Sequence, residues 1–331
     1  MSRYYLGLDV HKVRTQYCLV DQEGRIVREG NLPTEDVASL VELPGLPVVL
    51  EATGHWCAPY DALRASGGQV KLAHPARVRA IASARIKTDK IDARVLAHLL
   101  RTDLIPEAWA APQDIRNLRD LLRLRWGFIC DQTAAKNRIH VLLAREGLRF
   151  QGSDLFGRRG RRWLASLSLR PHVQELVSHL LQHLEETTRH VEALTERLHE
   201  LLDADPAIHL LVTIPGVGFI TAATLLAELG DWRRFRGPKQ VAAYFGLVPS
   251  VRASASTARY GHLTKSGSSH ARRVLVEAAQ SAVRIPGPAR HRYLSLFRRR
   301  GKKVAIVAAA RTLLVLAWTL LINGEVYQRA A

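Results

Sequence analysis

The first 110 residues alternate short apolar runs with segments of helical periodicity. Five runs have the length and composition of β-strands: residues 3–9, 15–20, 25–28, 47–51 and 69–73. The second and third flank Asp21-Gln22-Glu23-Gly24, a turn sequence whose glycine allows a hairpin. Helices are predicted at residues 35–43, at 60–65 and from the N-cap Thr88 to about Leu100. This order of strands and helices predicts an α/β sheet.

Two long helices are predicted in the middle of the chain. The segment from about 114 to 147 is rich in arginine and has one apolar stripe: Ile115, Leu118, Leu122, Trp126 and Ile129. Residues 173–202 carry apolar positions at alternating spacings of four and three: Val173, Val177, Leu180, Leu184, Val191, Leu194, Leu198 and Leu201, interrupted by Thr187. This repeat predicts a coiled-coil seam, either with the preceding helix in the same chain or between two chains. The basic stretch 157–162 is predicted to be a flexible loop.

After Pro206 the chain is predicted to be mainly helical. Ile214-Pro215-Gly216-Val217-Gly218, followed by an apolar helix, is typical of a helix-hairpin-helix element, whose turn can present backbone N–H groups to a phosphate. A loop of small residues at 246–257 and a basic tract at 259–267 follow. The apolar run 304–318 contains Arg311, so we expect a buried helix there and no membrane span.

These patterns divide the chain into three predicted domains. Residues 1–110 are expected to form an α/β domain of the RNase H type, in which the first strand and a later central strand end side by side. Residues 111–205 are expected to form a helical, coiled-coil linker, and residues 206–331 a mainly α C-terminal domain with the helix-hairpin-helix-like element. The cysteines Cys18, Cys57 and Cys130 have no metal-site spacing, so we expect reduced thiols in a cytoplasmic protein.

The charge of the chain is concentrated in its C-terminal part. The formal net charge is +18, and residues 231–303 hold 17 Lys/Arg against 2 Asp/Glu, whereas residues 1–110 hold 14 against 13. A basic surface of this density indicates binding to nucleic acid or to an anionic membrane. Nucleic acid is favoured because the sequence shows neither a signal peptide nor a lipidation motif. The candidate nucleic-acid-binding residues are Arg233, Arg234, Arg236, Arg259, Lys265, Arg272 and Arg273.

Four acidic residues occupy positions where carboxylates are costly unless a cation neutralises them. Asp9 and Glu51 end apolar runs, and Asp89 and Asp92 lie three apart at the start of a predicted helix, on one face. Two divalent ions held by shared carboxylates can activate an attacking oxygen and stabilise a leaving oxygen at one phosphorus. Each residue alone could be an ordinary strand end or first helical turn, but the four together favour metal-dependent phosphoryl transfer.

Five motifs carry a resemblance to a known family. They are Gly7-Leu8-Asp9-Val10-His11-Lys12, Glu51-Ala52-Thr53-Gly54, Lys87-Thr88-Asp89-Lys90-Ile91-Asp92-Ala93, Ile214-Pro215-Gly216-Val217-Gly218 and Leu263-Thr264-Lys265-Ser266-Gly267. In this order they resemble the DEDD transposases of bacterial insertion sequences, which include the pilin-gene-inverting recombinase. The resemblance implies a RuvC-like N-terminal domain in which two Mg²⁺ ions are bound by four ligands: Asp9, Glu51, Asp89 and Asp92. It also implies a C-terminal transposase domain with a nucleophilic serine, which aligns with Ser254 and has Ser250 and Ser256 nearby.

The resemblance also implies partners. Proteins of this family act on donor and target DNA, use a structured guide RNA from their own element and work as homo-oligomers, dimers or tetramers, with active sites shared between subunits. By this analogy RNA contacts are expected on the arginine-rich helix at 114–147 and on the basic stretch 157–162. The expected location is the bacterial cytoplasm, at the nucleoid.

Three other functions fit parts of the sequence. A RuvC-like junction-resolving nuclease would share the four carboxylates, hydrolyse DNA with water and need no serine. A sugar kinase or actin-type ATPase also begins with a strand, Gly-x-Asp and a hairpin, but the second glycine-rich phosphate loop that it requires is missing from the sequence. A non-catalytic nucleic-acid-binding protein would need none of the carboxylates.

Overall fold

The architecture was obtained as a computed structural model, which describes residues 4–82, 88–254 and 257–328 and, from residue 252 to 260, no side chains. The chain divides into two compact units, Met1–Ala110 and Ala111–Ala331, called unit 1 and unit 2 below. Unit 1 is a mixed α/β sheet, and unit 2 is mostly helical.

Unit 1 is built on a five-stranded sheet. Its strands are β1 (Tyr4–Val10), β2 (Arg14–Asp21), β3 (Ile26–Pro33), β4 (Pro47–Glu51) and β5 (Gln69–Ala73). They lie in the order β3-β2-β1-β4-β5; β1, β2 and β3 are antiparallel, whereas β4 is parallel to both β1 and β5. All five predicted strands are confirmed, with β3 longer than expected.

Helices cover the sheet of unit 1. They are a 3₁₀-helix (Thr34–Leu40), α1 (Cys57–Ala65), α2 (Pro75–Ile81) and α3 (Asp89–Arg101). The sequence pattern did not predict α2. Val48 and Leu50 of β4 pack into one apolar cluster and Val49 into another. Because β4 is buried on both faces, its sequence is a continuous apolar run without polar alternation.

Unit 2 contains eight described α-helices and a β-hairpin. The helices are α4 (Gln113–Arg145), α5 (Arg158–Ala165), α6 (Pro171–Leu202), α7 (Pro206–Val212), α8 (Phe219–Leu229), α9 (Pro238–Tyr244), α10 (Ser269–Ala282) and α11 (Pro288–Asn323). A 3₁₀-helix at Trp232–Arg234 precedes α9, and the hairpin consists of β6 (Pro249–Ser254) and β7 (Thr257–Leu263). Residues of α8 are buried on all sides, because this helix occupies the centre of the largest apolar cluster.

The two longest helices before the C-terminal part pack against each other within the chain. Several seam positions of α6 are buried: Val173, Val177, Leu184, Thr187 and Leu198. The side chains of Gln132 and Arg125 on α4 donate hydrogen bonds to Thr188 and Thr195 of α6, at 3.0 and 2.8 Å. Within the chain, the apolar repeat therefore joins α6 to α4.

The prediction of a flexible loop at 157–162 is wrong, because residues Arg158–Ala165 form α5. Gly160 is buried, and a Cβ atom at this position would overlap the backbone carbonyl of Leu155. Leu164 packs in the same apolar cluster as Leu155 and anchors the helix. The glycine beside the arginines therefore permits a close approach of two backbone segments and does not indicate flexibility.

Among the described residues, one helix, α11, is long and apolar enough to cross a membrane by length and composition alone. A core helix of a globular protein passes the same test, and the second half of α11 supplies buried residues to unit 2: Ala305, Ala309, Ala310, Leu313, Leu314, Ala317, Leu320 and Leu321. Helical geometry is interrupted at Gly301, where φ is 75° and ψ is 169°. The residues before this break contribute little to the core.

Candidate active site

Asp9 and Glu51 lie at the ends of neighbouring parallel strands. Leu8 of β1 pairs with Leu50 of β4, so Asp9 and Glu51 occupy the next position on each strand. Asp9 is 9 % exposed and Glu51 is half-buried. Since the carboxyl ends of parallel strands meet at one edge of a sheet, both carboxylates belong to the same edge.

A close helix–strand contact brings the first turn of α3 to this edge. A Cβ atom on Gly7 would overlap the backbone of Ala93 and Ala97, so only glycine allows α3 to lie this close to β1. Thr88 caps the helix, and its Oγ1 accepts a hydrogen bond from the N–H of Ile91 at 3.3 Å. Asp89 is therefore the first helical residue, next to the end of β1.

The side chains of Asp9, His11 and Asp89 converge. The Nε2 atom of His11 is 3.3 Å from Oδ2 of Asp9 and 3.4 Å from Oδ2 of Asp89. One ligand atom from each of the three residues can be chosen so that all lie within 4.8 Å of one another. Two carboxylates and an imidazole at this spacing form a donor set that can hold a divalent cation.

Sequence reasoning did not select His11 as a site residue. Asp9 and His11 are two positions apart at the end of an extended strand, and alternate side chains of a strand point to the same side. This spacing was the available signal. His11 follows the apolar run and does not end it, so the pattern that marks Asp9 and Glu51 does not mark the imidazole, which is 55 % exposed in the structure.

The electrostatics of the cluster also suit a cation. Burial raises the pKa of Asp9, the nearby His11 lowers it, and the charges of Asp89 and Asp92 raise it further. Asp92 therefore acts on Asp9 electrostatically, although it is not one of the three converging ligands. A divalent cation would offset both the desolvation of Asp9 and the mutual repulsion of the carboxylates, so these residues fit a metal ion.

Of the four predicted carboxylates, two are in contact with a common residue and two lie on the neighbouring backbone. Asp9 and Asp89 share a histidine, Asp92 lies in the same first turn of α3, and Glu51 ends the adjacent strand. A second anchor holds α3 on the sheet, because Arg94 donates hydrogen bonds of 2.7 and 2.9 Å to the carboxylate of Glu29 on β3. The role of the four predicted carboxylates as metal ligands stays a prediction.

The predicted nucleophile lies in unit 2. Ser254 is the last residue of β6 and pairs through the backbone with Thr257 of β7, while its side chain and all of Ser256 lie outside the described residues. The base of this hairpin is tightly packed. Gly246 and Gly267 have positive φ angles of 64° and 70°, and a Cβ atom on either would overlap the neighbouring backbone.

Three of the predicted nucleic-acid-binding arginines are used inside unit 2. Arg234 packs over the rings of Phe235 and Tyr244, 4.1 and 4.4 Å from their centroids, and burial lowers its pKa. Arg273 lies over the ring of Trp126 and donates a 3.0 Å hydrogen bond to Glu277.

Arg272 fixes the base of the hairpin. Its Nη1 atom donates to three backbone carbonyls, those of Phe245, Ser266 and Gly267, at 3.2, 2.6 and 3.2 Å. By contrast, the predicted residues Arg233, Arg236 and Lys265 are exposed, and the side chain of Arg259 lies outside the described residues. The exposed cations are the ones that can reach a ligand directly.

Two family models together match most of the chain. Residues 208–295 match the family described as Transposase IS116/IS110/IS902 family, and residues 6–146 match the DEDD transposase family of IS110 elements. The chain therefore belongs to the IS110 family of insertion-sequence transposases. This membership implies a DNA recombinase, with DNA as its partner.

Curated relatives extend over nearly the whole chain. A probable family 20 transposase of Pseudomonas aeruginosa is 29 % identical over 99 % of both chains. The transposase for insertion sequence element IS1111A of Coxiella burnetii is 26 % identical over 98 % of this chain and 92 % of the relative. The pilin gene-inverting protein of Moraxella bovis is 22 % identical over 99 % of both.

Proposed function

We propose that the protein is an insertion-sequence transposase that cleaves and exchanges DNA strands in a Mg²⁺-dependent reaction. The observation that carries the proposal is the convergence of Asp9, His11 and Asp89 at the end of β1, with Glu51 on the adjacent strand. Asp9, Glu51, Asp89 and Asp92 are proposed to hold two Mg²⁺ ions. The strand order of unit 1 supports a RuvC-like domain, and the α4–α6 pair supports a coiled-coil linker.

The chain's own residues would hold the carboxylates in place and leave the cluster accessible to a DNA phosphate. Asp9 is buried and fixed on β1, whereas the side chain of Asp89 is 66 % exposed, so the cluster is open to a phosphate on the side of α3. His11 can keep the two carboxylates at a fixed separation through its Nε2 atom. When bound, Mg²⁺ would supply charge neutralisation at the phosphate oxygens and activation of the attacking hydroxyl.

The proposed reaction proceeds through a covalent intermediate on Ser254. The serine oxygen bonds to phosphorus while the bond from phosphorus to a bridging deoxyribose oxygen breaks. The hydroxyl proton leaves to solvent, and the released deoxyribose oxygen takes one up. A hydroxyl from the exchanged strand then attacks the phosphorus and loses its proton to solvent, while the bond to the serine oxygen breaks and that oxygen takes up a proton. The phosphodiester energy is kept, so strand exchange requires no ATP.

The proposed partners are donor DNA, target DNA and a structured guide RNA, bound by a homo-oligomer in the bacterial cytoplasm, at the nucleoid. The family resemblance supports RNA, and exposed arginines on α5, including Arg158, Arg159 and Arg162, offer it a surface. Arg233, Arg236 and Lys265 offer exposed charges for DNA.

The carboxylates are tested by strand-exchange assays on Asp9→Asn and Asp89→Asn variants. Both substitutions should lower the rate by orders of magnitude while circular dichroism stays unchanged, because the ligands stabilise a transition state and little of the core. Asp103→Asn is the matched control: Asp103 belongs to the same unit and is 87 % exposed, but pairs with Lys71. Activity retained in Asp9→Asn, or lost equally in Asp103→Asn, would contradict the assignment.

The serine step is tested with suicide DNA substrates and Mg²⁺, with the guide RNA added. A denaturation-resistant protein–DNA adduct is expected in the wild type and in Ser256→Ala, but not in Ser254→Ala. If the adduct disappears in Ser256→Ala alone, the nucleophile is Ser256. Efficient cleavage without any adduct would instead identify a hydrolytic, junction-resolving nuclease.

A further inference from the structure

The first half of α11 is a strongly basic helical segment that the site described above does not use. Residues 288–303, called the basic arm here, hold seven cations: Arg290, Arg292, Arg298, Arg299, Arg300, Lys302 and Lys303. The sequence contains no acidic residue between Glu277 and Glu325. Among the described residues, no ion pair involves any of these seven side chains. The positive charge of the arm is therefore available to an external anion.

The break at Gly301 separates the helical part of the basic arm from the core helix, and Lys302 and Lys303 directly follow the break. Residues 288–300 are helical, which corresponds to a rod of about 20 Å. The positive φ of Gly301 turns the chain before residues 304–323 enter the core of unit 2. Except for the partly buried Arg290, the seven cations are exposed.

An exposed apolar pair accompanies these charges. Leu294 is 54 % exposed and Phe297 is 43 % exposed, and the two are three positions apart on one helical face. The ring of Phe297 lies 5.3 Å from that of Tyr293, which keeps it oriented. Arg290 and Arg298 lie one turn before and after Leu294, so guanidinium groups flank the apolar pair.

We propose that the basic arm docks on duplex DNA, with its cations on backbone phosphates and with Leu294 and Phe297 toward the groove. The proposal rests on the proposed function in taking DNA as the partner and adds where and how it is held. A helix fits the major groove of B-DNA, which is about 12 Å wide, and flanking arginines can reach phosphates on both sides. The deep, narrow major groove of A-form RNA does not admit such a helix.

Charge argues against the other occupants of this surface. A second basic arm would bring seven further cations against the first seven, so like-charge repulsion opposes pairing of two copies through the arm. An anionic membrane would satisfy the charge, but the exposed apolar pair is small compared with the continuous apolar face of a membrane-binding helix.

The test measures binding of the full chain to a 30-base-pair DNA duplex by fluorescence anisotropy, across a salt series and in EDTA. EDTA prevents strand cleavage, so failure of the proposed catalytic function does not affect the result. The triple variant Arg292→Gln/Arg298→Gln/Arg299→Gln should lose about tenfold or more in affinity at low salt. The slope of log affinity against log salt should fall by roughly 0.9 for each lost phosphate contact.

A triple variant elsewhere in unit 2 is the matched control. Arg149→Gln/Arg189→Gln/Arg197→Gln removes the same charge from exposed positions outside the arm and outside the surfaces proposed for RNA and DNA. It should bind the DNA duplex within about twofold of the wild type, because the proposal assigns the contacts to the arm. Equal weakening by both triple variants would show a general charge effect and overturn the proposal. Circular dichroism checks that both variants are folded.

Three further measurements distinguish the possible partners. The arm variant should lose affinity for an RNA duplex of the same sequence much less than for DNA, and equal losses would overturn groove docking. Weaker binding of the arm variant to phosphatidylserine vesicles, with unchanged affinity for the DNA duplex, would assign the arm to a membrane surface and overturn the proposal. A change of oligomeric state in light scattering, with DNA binding intact, would assign the arm to contacts between copies.

Discussion

At the scale of single residues, Gly7 determines how closely α3 can approach the sheet. Gly7→Ala would place a methyl group against the backbone of Ala93 and Ala97, which cannot move as a flexible side chain could. We expect a loss of about 2–3 kcal/mol in the free energy of unfolding of unit 1, measured by denaturant titration.

Gly54→Ala provides the comparison for this prediction. Gly54 belongs to the same unit, and a Cβ atom there would meet nothing within 4 Å. Its substitution should therefore change the stability of unit 1 by less than about 1 kcal/mol. Equal destabilisation by both substitutions would mean that the contact between α3 and β1 is not close.

Asp9 should make the stability of the metal-free protein depend on pH and on Mg²⁺. Burial raises its pKa, so between the unfolded and folded pKa values the folded state binds more protons and stability falls as pH rises. At neutral pH in EDTA, Asp9→Asn should therefore unfold at a higher temperature than the wild type. Mg²⁺ should raise the unfolding temperature of the wild type and have little effect on the variant. A similar response of both proteins to Mg²⁺ would contradict metal binding at Asp9.

Residue patterns indicate the position of a carboxylate at a strand end more directly than the direction of an arginine side chain. Asp9 and Glu51 could be selected because a charge that ends an apolar strand has a defined place in a sheet. The direction of a guanidinium is not encoded in local sequence. Arg234 and Arg272 belong to basic tracts, yet their side chains serve the packing of unit 2, which depends on rings and carbonyls distant in the sequence.

At the scale of elements, the break in α11 determines the direction of the basic arm. Gly301 has φ 75° and ψ 169°, which costs a residue with a Cβ atom about 1–3 kcal/mol, although a methyl group would meet nothing within 4 Å. In Gly301→Ala we expect a continuous helix with the arm redirected. The substitution leaves the charge of the arm unchanged, so a fall of several-fold in DNA affinity would result from the changed orientation of the arm.

For Gly301→Ala, the anisotropy assay measures DNA affinity and circular dichroism measures helical content. Helical content should rise slightly in Gly301→Ala, because a non-helical residue joins the helix. DNA affinity equal to that of the wild type would show that charge alone holds DNA on the arm.

The sequence predicted elements most accurately where they bury a regular apolar pattern. The strands of unit 1 and the helices α4 and α6 follow their periodicity closely. For α5, a glycine among arginines indicated a loop. Gly160 is instead required because the carbonyl of Leu155 lies against it, and this contact with a residue outside the helix is not visible in the helix sequence. The short helix α2 was missed for lack of a long apolar stripe, with only Val78 buried.

At the scale of the whole molecule, we expect the acidic site and the affinity for DNA to reside in different units. Unit 1 has nearly balanced charge, with 14 Lys/Arg and 13 Asp/Glu in residues 1–110. A fragment of residues 1–110 that is folded by circular dichroism should bind Mn²⁺ as a probe for Mg²⁺. It should bind DNA far more weakly than the full chain, because few phosphates can be neutralised. Full DNA binding by this fragment, or binding of the full chain that is independent of salt, would contradict the division.

The basic arm follows unit 1 at a long distance in the sequence, and this order has a consequence for synthesis. Domains generally fold from the N-terminus as they leave the ribosome, at about 5–20 residues per second. Unit 1 ends at Ala110 and the arm begins at Pro288, so the acidic cluster is complete roughly 10–35 s before the arm is translated. A nascent or prematurely terminated transposase therefore has its carboxylates without the arm that would hold DNA. We expect incomplete products that end before the arm to bind DNA less tightly than the full chain, and therefore to cut it less.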